Sequence, residues 1–410
     1  MRPFRGGRRR TLATLLLALA PCGLAGAQQE ASIEKFEAVD PYTRGQRELM
    51  DRAGCVSFGP FHWAAEQSTE DVRKTLEGTP ILFIETAHFR LASTLVTYKI
   101  SEDQIEKDVI EAEVAALRKK LPRVKSSSKL DPWLRAHLIA QRLEAEYADF
   151  CQRFGITDAE FADVEARRAQ GLELGAGRYL GQKEKFTVLL TETRGAFSRY
   201  LRKYTGLEND YSYRFKFSDC YFFGANFEAL KDGNRGLEIA FSASTAGAVA
   251  QNFLSGFRDS NDAAPEWLSY GLAHFYGRRV DARFNQWNAG GATNSDEDKQ
   301  WIWEPRVFGL VKNDACVSWE QMMSWKAIAD IKPRDHMIAW SRVDWLLQRK
   351  PESLHEFLFA STEAIASLGA ERDTARFEQQ GRAQQKVLNM APAALDDAWR
   401  AWVLKTYSKK

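Results

Sequence analysis

The sequence predicts an α+β protein: a small N-terminal sheet, two central helices, and a C-terminal helical bundle. Three observations carry this. Short apolar or alternating runs at residues 81–93, 185–190 and 211–223 read as strands. The stretch 236–279 reads as an apolar helix, a polar loop and a second helix opening at Pro265. From Ser318 onward every segment has helical spacing.

The chain has 410 residues, enough for two or three domains, and at 44% hydrophobic and 12% aromatic it can bury a large core. The first 27 residues read as a signal peptide. MRPFRGGRRR is a basic n-region, TLATLLLALA an apolar core too short to span a bilayer, and Ala25-Gly26-Ala27 a cleavage site. The expectation is export to the periplasm or outside the cell, by the general secretory or the twin-arginine route (Arg9-Arg10), with no integral membrane segment afterwards. The five arginines of this segment leave 52 basic against 55 acidic residues, a balance of −3. No basic patch remains to suggest nucleic acid. Cys55, Cys151, Cys220 and Cys316 are widely spaced and lack C-x-x-C pairing, so disulfides and buried free thiols both stand.

In order, residues 28–180 form a mixed strand and helix region. Gly54 to Trp63 is a turn-rich aromatic knot in which His62 packs or caps. ILFIETAHFRLAS (81–93) reads as a strand pair with His88 on its surface. Residues 102–120 and 133–155 read as helices, the second opened by Asp131-Pro132, closed by Gly155 and holding His137 in its packing. The stretch 156–184 reads as a helix plus an exposed Gly-rich loop. Residues 181–284 form a second α+β region: KFTVLL as strand, a helix ending at Gly206, YSYRFKF and CYFFGANFEAL as strands, then the central helices. Residues 285–317 are a loop region with Trp287, Trp301 and Trp303, which either tuck over a groove or hold a ligand. Residues 318–410 are helical, with His336 and His355 on the bundle surface.

PEWLSYGLAHFYGRR resembles a segment of the gluzincin zinc metallopeptidases, the peptidase-MA-like group, in which the pattern P-x-W-L-x-E-G-L-A-x-[YF] carries the third zinc ligand. Further similarities are Thr86, His88 and Phe89 (T-x-H-F-x-I), Ile338 to Leu347 around Trp340-Ser341, and the closing LDDAWRAWVLKTY. The resemblance covers roughly residues 185–407, and more loosely 81–100. It implies a thermolysin-type domain whose first two zinc ligands stand in H-E-x-x-H on the preceding helix. That motif works because imidazoles four residues apart share a helix face and reach one ion, while the Glu takes a proton from the bound water. This sequence has no H-E-x-x-H. The ligand positions align with Gly247, Gln251 and Tyr270, and the general-base position with Ala248. Glycine has no side chain, Gln is a poor ligand, and Tyr binds zinc only as phenolate. The resemblance therefore implies a degenerate site, with no metal or other cofactor expected and zinc hydrolysis lost.

Three functional readings follow. The first is a non-catalytic pseudoenzyme that binds a peptide or protein in the old groove, with Trp287, Trp301 and Trp303 as groove candidates. The second is a divergent hydrolase using Glu266, Tyr270 and His274, four residues apart on one helix face, with a relocated metal or with Tyr270 and His274 as an acid–base pair. The third is a structural protein of the cell envelope. No G-x-S-x-G elbow, G-x-G-x-x-G or P-loop supports a serine hydrolase or a nucleotide site.

Overall fold

The computed structural model describes residues 35–162, 165, 177–232, 236–257, 264–284, 302–349, 356–357, 360 and 372–407. The predicted signal segment, Trp287, Trp301 and His355 lie outside them. The fold is α+β. Its centre is a five-stranded sheet of β1 (Leu82–Glu85), β2 (Phe89–Ser93), β3 (Phe186–Thr191), β4 (Ser212–Lys216) and β5 (Tyr221–Asn226), in the order β1-β2-β3-β5-β4. β1 and β2 form the hairpin read at 81–93, with Leu82 opposite Ser93. β2 then pairs in parallel with β3, Phe89 opposite Phe186, so one sheet takes strands from both sides of residue 181. β3 also pairs in parallel with β5, and β4 closes the edge antiparallel to β5.

The two-residue period of the strands sorts their side chains onto two faces. Ile84, Leu91, Val188, Leu190 and Phe223 join the larger core. Phe83, Ala92, Leu189 and Phe222 join a second core with Trp63, Val72 and the helix α3 (Arg194–Thr205). With both faces covered, the β3 sequence FTVLLT is buried throughout, as a central parallel strand requires.

The larger core is covered by α1 (Gln104–Lys120), α2 (Pro132–Phe154), α4 (Glu238–Gly256) and α5 (Glu266–Asp281). α2 begins as its sequence says: Asp131 accepts the Leu134 N–H at 3.0 Å, Pro132 fills the first turn, and Gly155 ends it at φ 62°. α4 is apolar almost all round because it passes through the interior. α5 lies between α4 and α7 (Pro333–Arg349), and glycines set both approaches. A β-carbon at Gly247 of α4 would stand 2.9 Å from the Ala273 carbonyl oxygen of α5. One at Gly271 would stand 2.6 Å from Val343 Cγ2 and 2.8 Å from the Ala339 carbonyl oxygen of α7. The remaining helices, α6 (Glu304–Lys312), a short helix Trp319–Met323, α8 (Arg372–Leu388) and α9 (Pro392–Thr406), complete the helical end. Ser318 and Gln321 form a capping box at the start of the short helix.

Three sequence expectations need correction. The end of the Gly-rich stretch is not an exposed loop: Leu180 and Gln182 are buried. Gly181, at φ 92°, lets the backbone lie against the end of α4, where a β-carbon would meet the Gly256 carbonyl oxygen at 2.4 Å. His88 is not a surface residue but is stacked on Tyr147, ring centroids 3.8 Å apart, between two carboxylates. His336 is buried, because the first turns of α7 face α5 rather than solvent.

Candidate functional site

The helix α5 does present Glu266, Tyr270 and His274 at four-residue intervals, and two partners from other elements join them. His336 of α7 meets His274, Nε2 to Nδ1 at 2.9 Å, with the rings nearly perpendicular. One ring nitrogen donates and the other accepts, so the pair is satisfied while neutral. Burial, then the neighbouring His274, push His336 down to about 2. The Tyr270 ring stands edge-on to His336, centroids 5.8 Å apart.

The second partner is Arg214 on the edge strand β4. Its Nε donates to Asn252 Oδ1 at 2.8 Å and its Nη2 to Ser255 Oγ at 3.1 Å, both on α4. Burial lowers its pKa to about 10, against the fields of Tyr270, Tyr221 and Glu266. Tyr270 is itself pushed up to about 12 by burial and then Glu266, with Arg214 opposing. It therefore remains a phenol near neutral pH, the form that does not bind zinc.

The positions aligned with zinc ligands are engaged in packing and hydrogen bonds. Gly247 is closed against Ala273 as described. Gln251 Nε2 donates to Ser269 Oγ at 3.1 Å. Ala248 is partly buried against the larger core. Among the described residues no three His, Cys, Asp or Glu side chains are grouped to hold a metal ion.

Trp303, expected as a groove residue, is a core residue with no exposed surface. Its ring lies edge-on to His274 at 5.2 Å and packs near Trp340, with the Arg278 guanidinium 4.2 Å from its centroid. It fills the space beside the histidine pair, where a ligand would otherwise reach His274.

A different constellation was not legible in the sequence. Cys55 Sγ lies 3.8 Å from His137 Nδ1, and His137 Nε2 lies 3.1 Å from Asp40 Oδ2. The order resembles nucleophile, base and orienting acid. Its burial argues the reverse of activation, since desolvation and Asp40 push the Cys55 thiol up to about 12. All four cysteines 55, 151, 220 and 316 are free thiols.

Two cavities stand apart from the Tyr270 face. One of ≈ 780 Å³ is bounded by residues 35–40, Pro60, Arg73, Phe83 and Trp133. The other, of ≈ 480 Å³, lies among α1, α2, α4 and α5. No helix among the described residues is long and apolar enough to cross a membrane. Comparison of the chain with protein families, with curated proteins and with solved structures finds no match.

Proposed function

We propose that this chain is an exported, metallopeptidase-like protein that binds a peptide or protein without catalysing its hydrolysis. The observation that carries the non-catalytic part is the contact between Gly247 and Ala273. An imidazole at 247 would need α4 and α5 to separate, because the obstructing atom is backbone rather than a movable side chain. The engaged Gln251, the phenolic Tyr270 and His336, whose pKa burial lowers, add to it: none is a strong base near neutral pH. For binding, Arg214, held by Asn252 and Ser255, is a cation in the field of Tyr270.

The test is elemental analysis of the purified chain after expression with zinc, with hydrolysis and binding of a labelled short-peptide pool measured in parallel. The proposal expects no stoichiometric zinc, no cleavage, and saturable peptide binding that Arg214→Leu weakens. One zinc per chain with cleavage would sink it. A second reading, a structural envelope protein, is favoured by Trp303, which fills the space beside His274. That reading expects no saturable peptide binding.

A further inference from the structure

The ≈ 480 Å³ cavity lies at the other end of the α4–α5 pair from Tyr270. Its apolar wall comes from Ile139, Leu143, Phe241 and Val280. Its charged lining is uneven. Arg142 is held by Glu113, Nε and Nη2 donating at 2.9 and 2.5 Å, and reaches Glu238 at 3.4 Å. Glu238 also has Arg135, at 2.8 Å. Asp149 has two arginines, Arg153 at 2.6 Å and Arg279 at 3.4 Å. Both lining arginines are therefore already committed to carboxylates.

Glu146 has no such partner. It lines the same cavity, it makes no ion pair among the described residues, and its Oε1 is fully enclosed without a hydrogen bond there. The Tyr276 hydroxyl, on the same wall, is buried; its proton is directed to the Asp149 carboxylate, which leaves its oxygen free to accept from a ligand. Buried polar atoms without partners are costly. Here the Glu146 oxygen and the Tyr276 oxygen line one cavity with apolar walls, the composition of a small-molecule site.

We propose that this cavity binds a primary alkylamine, its ammonium head against Glu146 and Tyr276 and its chain along Leu143, Phe241 and Val280. The lining selects the cation: an incoming anion would meet arginines already paired, whereas Glu146 can ionise to meet an arriving ammonium. An ammonium brings three donors to the unpartnered Glu146 oxygen and to the accepting side of the Tyr276 oxygen. The inference does not rest on the metallopeptidase-like reading.

The empty site favours the neutral form of Glu146. Burial, then the Asp149 carboxylate, hold its pKa well above the usual carboxylate range, with Arg279 opposing. Near neutral pH the amine arrives already protonated. Its charge favours the ionised carboxylate, so Glu146 loses its proton to the buffer. Binding is therefore accompanied by proton release from Glu146, and the head group stays an ammonium.

The experiment is calorimetric titration of the full chain near neutral pH with hexylammonium chloride, sodium hexanoate and hexan-1-ol. Phosphate and MOPS, which differ in ionisation heat and contain no primary amine, report the proton. Hexylammonium should saturate one site with proton release, and the acid and the alcohol should bind at least about tenfold more weakly. Glu146→Gln should abolish the proton release and weaken hexylammonium by about tenfold or more. Tyr276→Phe should weaken it less and keep the release. Absence of saturation, hexanoate or hexanol binding as tightly, or hexylammonium binding without proton release would each overturn the proposal. The wild-type comparisons decide it even if a variant fails to fold.

Discussion

The Ala273 carbonyl oxygen lies 2.9 Å from where a β-carbon at Gly247 would be, so α4 and α5 touch at a point that admits no side chain. Gly271 does the same for α5 and α7, with tighter contacts of 2.6 and 2.8 Å. Alanine gains about 1 kcal/mol over glycine in a helix. Overpacking against backbone costs about 1–3 kcal/mol. Both Gly247→Ala and Gly271→Ala are expected to lower the urea midpoint, Gly271→Ala by more. Equal or raised midpoints would show that the helices separate freely, and an imidazole at 247 would then be tolerable.

Arg135 and Glu238 form a pair in which each is 1% exposed. The Arg135 guanidinium also covers the Tyr98 and Phe227 rings. Glu238→Gln leaves Arg135 and Arg142 short of a counter-charge in the interior. The expected loss is about 3–5 kcal/mol in denaturant unfolding, little changed by salt because the pair is shielded from solvent. A loss below about 1 kcal/mol would place the pair in surface-like surroundings.

His88 donates to Glu144 at 2.7 Å and to Asp158 at 2.9 Å. Burial opposes its charge, but the hydrogen bonds it donates to Asp158 and Glu144 outweigh that, and its pKa rises to about 9. The folded value exceeds the unfolded value of about 6.5. The contribution is therefore fully present below about pH 6.5 and is lost as pH rises through about 9. Urea titrations across that window should show wild type losing stability, and His88→Gln should flatten the decline. An unchanged slope would detach the imidazole from this effect.

Burial pushes the Cys55 and Cys151 thiols up to about 12 and Cys316 to about 11, and raises Cys220 further still. In a Cys22→Ser chain, all four should react slowly with a disulfide reagent near pH 8 and quickly in denaturant. Fast native reaction of Cys55 would revive the Asp40–His137–Cys55 group as chemistry.

Local signals were readable, and distant contacts were not. Asp131-Pro132 and Gly155 mark both ends of α2 because capping is a short-range matter. The 81–93 hairpin is likewise local. The pairing of β2 with β3 is set by residues far apart in the chain, which periodicity does not register. The same holds for the site. Four-residue spacing put Glu266, Tyr270 and His274 on one face, while Arg214 and His336 arrive from a strand and a helix elsewhere. His336 looked solvent-facing because Asp335 and Arg334 flank it. Glu146 carries no local mark, since an acid in a long helix usually faces water.

The parallel pairing of Phe89–Ser93 with Phe186–Leu190 also orders events during synthesis. The hairpin exposes its inner edge until the strand that covers it has been made, and long-range pairing is slow to close. A chain truncated before Phe186 would keep that edge open beside the apolar face of α2, a combination that drives aggregation. The residues before Phe186 thus leave a sheet edge that only a later strand covers.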